Sequence, residues 1–480
     1  MAMSEQAGGV VMQALVIAAG RGSRLLPVSH GRPKALVPVL GVPIIDRVVS
    51  ALRDVGVADV VVTVGYQGQL IRDHLGSGER LGMRIRYAAN EAWPDGNAGS
   101  VLAARDLLAG DFLLVMGDHL VDERILAAMV NERMRGSVLV AVDRRDGGVD
   151  VTRVLVEDGR VAGIGKQIPA WNATDIGVFR CSPTFLTELD VLVPAGVAEL
   201  AAAVGSVDAH VVEIAAIEAY VPKLRKAVAP WWVDIDTATD LAAAERLLVN
   251  NASKNASDAL AHWVHRPIEN ALVAPIARAS RVTPNQLSFV VNVCAWAVTA
   301  LFASGALLAA SLLSFVVGLA DGLDGKLARV TQRVTRVGSL EHSFDMLYEY
   351  SWILALAWAL QRESGSAVPL VLAGAAVTLI AFYRSVYDQY GKQAGRSLDD
   401  SGLFERRFRR VAGRRNLYNI WILAGVLVGV PLGALWAIMV HAAVTAFIYS
   451  VRTIVRLGRL DRAGSPGPAE DSAGPRATLT

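Results

Sequence analysis

From Gln13 to about residue 245, short β-branched runs alternate with longer stretches whose apolar residues recur at helical spacing. Residues 14–18, 60–64, 84–88, 112–116 and 138–142 read as buried strands, and 43–55 and 97–108 as intervening helices. Runs that are apolar on both faces belong in a sheet covered on both sides, so the predicted unit is a Rossmann-like α/β fold with a mainly parallel sheet.

Both periodicities stop in the Asn-Asn-Ala-Ser-Lys-Asn-Ala-Ser stretch at 250–257, where a domain boundary is placed. Residues 259–279 then set Leu260, Val264, Ile268, Leu272 and Ile276 at helical spacing against Trp263, His265, Arg266, Glu269 and Arg278. That pattern predicts an interfacial helix lying on a bilayer, with a soluble amphipathic linker as the alternative. Beyond the Thr283-Pro284 stop, six segments are apolar enough to span: 286–302, 307–323, 340–361, 368–386, 418–430 and 432–454. The expected organisation is a tail (1–12), an α/β domain (13–250), a linker with the interfacial helix (251–283), an all-α six-helix transmembrane domain (284–460) and a disordered Pro/Gly/Ser/Ala-rich tail (461–480).

Composition agrees with a membrane unit: 53% of the 480 residues are hydrophobic and mean hydropathy is +0.38. A net charge of +2 argues against nucleic acid as a partner, and two distant cysteines, Cys181 and Cys294, exclude a disulfide framework. The N-terminus lacks a signal-peptide pattern. Positive charge concentrates at Lys326, Arg329, Arg333 and Arg336 and again from Lys392 to Arg415, which predicts a multi-pass cell-membrane protein with both termini and both candidate sites cytoplasmic. The arginines of 406–415 either satisfy that rule alone or bind phosphate or anionic lipid headgroups.

Candidate chemistry begins where the first strand runs into Ala18-Ala19-Gly20-Arg21-Gly22-Ser23-Arg24, followed by Arg32-Pro33-Lys34-Ala35-Leu36. Small residues let a backbone approach a nucleotide, while Arg24 and Lys34 can neutralise phosphate charge. The spacing resembles the sugar-phosphate nucleotidyltransferase family and not a Walker loop. The resemblance implies nucleobase and ribose contacts from Asn97, Gly99 and Ser100 in Asp95-Gly96-Asn97-Ala98-Gly99-Ser100. It also implies a metal-binding Asp118 that contacts the nucleotide, an acceptor-phosphate role for Lys166, and a second metal ligand at Asp236 in Trp232-Val233-Asp234-Ile235-Asp236, with Asp234 competing. Mg²⁺ is the implied ion, with Mn²⁺ as an alternative, in this site and in the second one described next.

The most hydrophobic third holds a cluster of acids. An Asp at the centre of a membrane helix costs about 2.5–3.5 kcal/mol, so Asp321, Asp324, Glu341 and Asp345 require compensation, and a divalent metal is the obvious candidate. Asp321-x2-Asp324-Gly325-x2-Ala328-Arg329-x8-Gly338 resembles the CDP-alcohol phosphotransferase signature. That signature continues with acids four and eight residues after its glycine, where this chain has His342 and Met346. Glu341 and Asp345 stand one position early, four apart on one helix face, which reads as a shifted register. The resemblance implies metals on Asp321, Asp324, Glu341 and Asp345, with Asp345 as base. It implies nucleotide contacts from Gly325, Ala328, Arg329 and the span-opening Thr283, Pro284 and Asn285. Glu349 is a spare ligand candidate.

The pair of domains resembles the bifunctional inositol-1-phosphate cytidylyltransferase and di-inositol phosphate phosphate synthase family. That likeness implies CTP and an alcohol phosphate, inositol 1-phosphate, as substrates, a CDP-alcohol intermediate, contact with membrane lipids, and a homodimer through the membrane domain. A fused phospholipid synthase, another polar-alcohol phosphate, and a soluble enzyme with a mere membrane anchor are the alternatives.

Overall fold

Nine strands form the main sheet of the first unit: β1 (Gln13–Ala18), β2 (Asp59–Val64), β3 (Arg84–Ala89), β4 (Phe112–Met116), β5 (Val138–Asp143), β6 (Arg153–Glu157), β7 (Arg160–Gly165), β8 (Ala173–Cys181) and β9 (Ala209–Glu213), in the order β3-β2-β1-β4-β8-β5-β9-β7-β6. The structure, a computed structural model, describes residues 12–145, 151–254, 260–279, 282–333 and 341–462, without the side chains of Lys223, Glu341 and His342. It separates into two units, Met1–Tyr220 with Ala227–Leu248 and Val221–Lys226 with Val249–Thr480.

Alternate residues of one strand serve opposite faces, and two cores result. Ala14 and Val16 pack with Val60, Val62, Leu113 and Val115 on one face, whereas Leu15 and Ile17 join Val61, Leu114 and Val140 on the other. Strand β1 pairs in parallel with both β2 and β4, and the chain winds outward from β1 in both directions. A sheet of this kind opens a crevice at the carboxyl ends of β1 and β4, where the strand order reverses.

The expectation of a mainly parallel sheet holds for β3-β2-β1-β4, and beyond β4 only the pairing of β9 with β5 is parallel. Strand β8 runs antiparallel to β4, β5 and β6, and β6 pairs antiparallel with β7. Asp158 and Gly159 both take positive φ (49° and 75°), the conformation of a two-residue hairpin turn, so these strands need no helical crossover. The expected helix at 97–108 breaks into an α-helix, Ala98–Leu102, and a 3₁₀ turn, Arg105–Leu107. The Ala104 N–H bonds to the Val101 carbonyl three residues back, which tightens the backbone there.

The second unit contains α1 (Pro284–Ser304), α2 (Leu307–Val330), α3 (Glu341–Ser364), α4 (Val368–Ala394), α5 (Arg415–Leu427) and α6 (Pro431–Arg462). Four of these, α1, α2, α4 and α6, are long and apolar enough to cross a membrane. Only 22–39% of their apolar windows is buried, and large side chains such as Phe289, Trp296, Val316 and Phe447 face outward, as lipid-facing helices require. Helix α3 carries the acids of the candidate site in its first turns, and the 13 residues of α5 rise only about 20 Å. Inside, Trp352 donates to the Ala295 carbonyl (2.9 Å) and Thr299 bonds to Ser351 (2.7 Å), which pairs these buried polar atoms between α1 and α3.

Before α1, a π-helical turn (Ala261–His265) leads into an α-helix (Arg266–Ala279) that exposes Trp263, Val264, Ile268 and Leu272. Residues 255–259, Gly338 and the tail from 463 onward lie outside the described residues, as does the N-terminal tail before Met12.

Between α4 and α5, Glu405 is 2% exposed and accepts from Arg452 and Arg456 of α6 (Arg456 Nε, 2.9 Å). Glu405→Ala leaves two guanidinium groups without their carboxylate, and the loss of a buried pair partner costs about 3–5 kcal/mol. A lower thermal unfolding midpoint in detergent is expected, with Glu363→Ala, at an exposed position, unchanged.

Candidate active sites

The first site lies at the carboxyl ends of β1 and β4. The turn after β1 depends on Gly22, whose φ is 62°; a Cβ there would stand 2.5 Å from the Cβ of Lys34. The turn therefore lies directly against Lys34, which is only 5% exposed. Three carboxylates surround its ammonium: Asp118 (2.8 Å), Asp236 (2.6 Å) and Asp234 (3.5 Å). Arg24 caps the outer side, donating to Asp236 at 2.5 Å.

Local pairing explains how residues so distant in sequence meet. Asp118 follows β4 through Gly117, whose N–H bonds to the Ile17 carbonyl (2.9 Å). A short ribbon of His119–Val121 against Trp232–Asp234 sets Asp234 opposite His119. Asp240 then accepts from the N–H groups of Asp236 (3.2 Å) and Thr237 (2.7 Å), fixing the loop at the start of the helix Ala238–Asn251.

Burial would lower the Lys34 pKa, yet the charge of Asp118 and Asp234 and hydrogen bonds to Asp118 and Asp236 hold it above the usual lysine range. Burial likewise opposes the charge of His119, but its bond to Asp118 (2.8 Å) and the nearby Asp234 raise it to about 9.

Donor atoms of Asp118, His119 and Asp234 lie within 4.8 Å of one another. Asp118 and Asp234 supply oxygen donors and His119 a ring nitrogen, and Asp236 reaches the same lysine. A carboxylate set of this kind suits a hard divalent cation. Of the two competing second ligands, Asp234 is the one grouped with Asp118, while Asp236, the expected one, meets Lys34 and Arg24.

Other expected residues fall into separate roles. Ala18 and Ala19 are buried below the turn, and Gly20 and Ser23 are exposed on it. Asn97 accepts from the Leu200 N–H (2.6 Å), and the Ser100 hydroxyl is buried against Asn90 (2.9 Å). Gly99 lies beside Asn90, and Lys166 is exposed after β7. His119 was not foreseen, although its position next to Asp118 was the available signal.

The second site joins five helices of the second unit, α1 to α5. Asp321 of α2 pairs with Arg415 of α5, which also donates to Tyr348 of α3 and lies 3.5 Å from Glu349. Tyr348 donates to Asp345 at 3.1 Å and lies 3.5 Å from Asp321, so Asp345 faces the same space as the first aspartate. Glu349, the spare ligand candidate, pairs instead with Arg384 of α4. Asp324, 1% exposed, accepts from Ser288 of α1 at 2.5 Å. Helix α1 begins in a capping box: Thr283 accepts from the Gln286 N–H (3.2 Å) and Gln286 from the Thr283 N–H (2.9 Å). Pro284 is buried and Asn285 exposed.

Arg329 donates to the Ala252 carbonyl (2.7 Å) and passes beside Gly325, one turn before it, while Ala328 is half-buried. The side chain of Glu341 lies outside the described residues. Ser288 and Tyr348 were missed; Tyr348, three residues after Asp345 on the same face, was inferable from spacing.

Comparison with known proteins follows the same division. Residues 13–146 match the nucleotidyl transferase family, and residues 281–448 the CDP-alcohol phosphatidyltransferase family. A protein of Aquifex aeolicus named "Bifunctional IPC transferase and DIPP synthase" is 26% identical over 92% of this chain and 98% of its own length. A protein of the same name from Rubrobacter xylanophilus is 29% identical over 88% and 92%. Among solved structures, an inositol-1-phosphate CTP transferase of T. maritima covers 48% of this chain and 92% of its own, with 23% identity and a TM-score of 0.41.

Asp175 of β8 supplies a pH test of the first unit. Burial pushes its carboxyl up to about 6, against the Gly177 N–H (2.8 Å) and the charge of His119. A carboxyl that holds its proton more tightly when folded loses stability as pH rises from about 4 to 6 and does not regain it above. Asp175→Asn keeps an acceptor for Gly177 and cannot ionise. In metal-free protein it should be more stable than the parent at pH 8, by up to about 3 kcal/mol and with a higher unfolding temperature, with little difference at pH 4. A gain confined to pH 4 contradicts this.

Proposed function

We propose, for a chain that belongs to the bifunctional IPC transferase and DIPP synthase family, two consecutive reactions. CTP and inositol 1-phosphate give CDP-inositol and pyrophosphate in the first unit. CDP-inositol and a second inositol 1-phosphate give di-inositol phosphate phosphate and CMP in the second. The observation that carries this reading is the presence in one chain of two carboxylate clusters, each inside the domain whose family performs one of the steps.

In the first step a phosphate oxygen of inositol 1-phosphate attacks the α-phosphorus of CTP, and the bond to the bridging oxygen of pyrophosphate breaks. Lys34 and Arg24 sit where negative charge on the α-phosphoryl group would develop, and the Gly20–Gly22 turn allows close backbone approach. Asn97, Gly99 and Ser100 shape the wall for the nucleoside, and Lys166 meets the acceptor phosphate. Asp118 with Asp236 and Asp234 would hold Mg²⁺, or Mn²⁺ in its place; such an ion neutralises the triphosphate and orients it for in-line displacement.

In the second step a hydroxyl of inositol 1-phosphate attacks the phosphorus that carries inositol in CDP-inositol, and CMP leaves. Asp345 accepts the hydroxyl proton, and Tyr348 fixes the orientation of its carboxylate. Asp321, Asp324, Asp345 and Glu341 form the set that would hold divalent ions here. Gly325, Ala328, Arg329 and the Thr283-Pro284-Asn285 turn face the cytidine diphosphate. All six helices α1–α6 span the bilayer in this reading, the preceding helix lies on its surface, and both sites open to the cytoplasm. A homodimer through the membrane domain completes it.

Two substitutions separate the steps. Asp118→Ala should lower pyrophosphate release from CTP and inositol 1-phosphate by at least about a hundredfold while leaving CMP release from supplied CDP-inositol intact. Asp324→Ala should do the reverse. If either variant loses both reactions or neither, the division of labour is wrong. Chelation with EDTA should stop both reactions, and added Mg²⁺ should restore both, measured as pyrophosphate and CMP in the same sample.

A further inference from the structure

The segment between α4 and α5 sorts its charges by side. Its acids turn inward: Asp399 is 1% exposed and bound by Arg409 (2.5 Å) and Tyr387 (2.5 Å), and Glu405 is held by Arg452 and Arg456. Arg414 also turns to Asp399 (3.8 Å), whereas Arg406, Arg407 and Arg410 are exposed, and among the described residues no ion pair is formed by these three. With Asp399 and Glu405 neutralised from within and only the half-buried Asp400 besides, the exposed charge of residues 403–411 is positive.

The same surface is apolar. Leu403 is 72% exposed, Phe404 50% and Val411 59%, and the rings of Phe404 and Phe408 stack at 6.0 Å. Together with Arg407 these four side chains line an open groove. The short helix that presents them, Leu403–Phe408, is clamped underneath by the Glu405 pairs, so the groove is preformed. Chain order sets its level: it joins the end of α4 to the start of α5, on the side where α2 and α6 end and α1 and α3 begin.

We propose that this groove is a seat for an anionic phospholipid, with an acyl chain along Leu403, Phe404, Phe408 and Val411 and the phosphate at Arg407, supported by Arg406 and Arg410. Charge complementarity selects the occupant. A zwitterionic lipid offers the arginines no net charge, and a soluble phosphate leaves the apolar wall facing water. The seat requires only that α1–α6 lie in a bilayer. It is independent of the two reactions.

The test places a bimane dye at Phe404→Cys in full-length protein carrying Cys294→Ser. Cys181, 1% exposed, stays unlabelled. Labelled protein that still releases CMP is reconstituted with brominated phosphatidylglycerol in phosphatidylcholine, or with the bromines on the phosphatidylcholine. Stronger quenching by the brominated anionic lipid is expected, corresponding to a several-fold higher relative affinity. The preference should fall to about onefold when Arg406, Arg407 and Arg410 are all changed to Gln. A dye at Phe447→Cys, on the lipid-facing side of α6, should show no preference in either background. Equal quenching by both lipids at position 404, or a preference that survives loss of the arginines, overturns the proposal. So does a result in which Arg407→Gln raises the KM for inositol 1-phosphate while lipid preference is unchanged, because the arginines then serve the soluble acceptor.

Discussion

Carboxylates removed from bulk water must be met by positive charge, and that requirement organises both units. In the first, Lys34 is almost sealed from solvent because Asp118, Asp234 and Asp236 converge on it. In the second, Arg415 stands between Asp321 and Glu349, and Arg384 completes the compensation of Glu349. An isolated charge of either sign at these depths would be prohibitive. As partners they define a place where phosphate and a divalent cation can be exchanged for charges already in position.

The scaffolds that bring the partners together differ. A parallel sheet sets the turn after β1, which packs against Lys34, beside Asp118 at the end of β4, and a two-stranded ribbon adds Asp234 from more than a hundred residues away. The helical unit relies on spacing along single helices. Asp321 and Asp324 lie three apart on α2, and Asp345, Tyr348 and Glu349 fall within one turn or so of each other on α3. Small backbone changes therefore have different reach in the two units, since a strand can shift by a fraction of an ångström where a helix must turn.

Elements with strong periodicity were readable directly. The five strands read at residues 14–18, 60–64, 84–88, 112–116 and 138–142 all form, because β-branched apolar runs have few other ways to be buried. The antiparallel half was not read, since the Asp158-Gly159 turn sets only β6 against β7 and the direction of β8 is decided by its tertiary partners β4 and β5. At the sites, glycine spacing and paired acids pointed to Lys34, Asp118, Asp321 and Asp345. They were silent on His119, Ser288 and Tyr348, whose significance comes from tertiary neighbours. Charge patterning counted the arginines of 406–415 as one cluster. The fold divides them, with Arg409 and Arg414 turned to Asp399, Arg415 to Asp321, and three left at the surface.

The hydrogen bond from Ser288 to Asp324 makes the opening of α1 a matter of rotational phase. The capping box at Thr283 fixes where the helix starts, and each residue after it advances the side chains by about 100°. One inserted or deleted residue between Thr283 and Ser288 would leave length and hydropathy almost unchanged and yet swing the hydroxyl away from the aspartate. A segment that looks like an interchangeable membrane anchor thus behaves as a key cut to one angle, and evolution of the linker before it is free only up to the threonine.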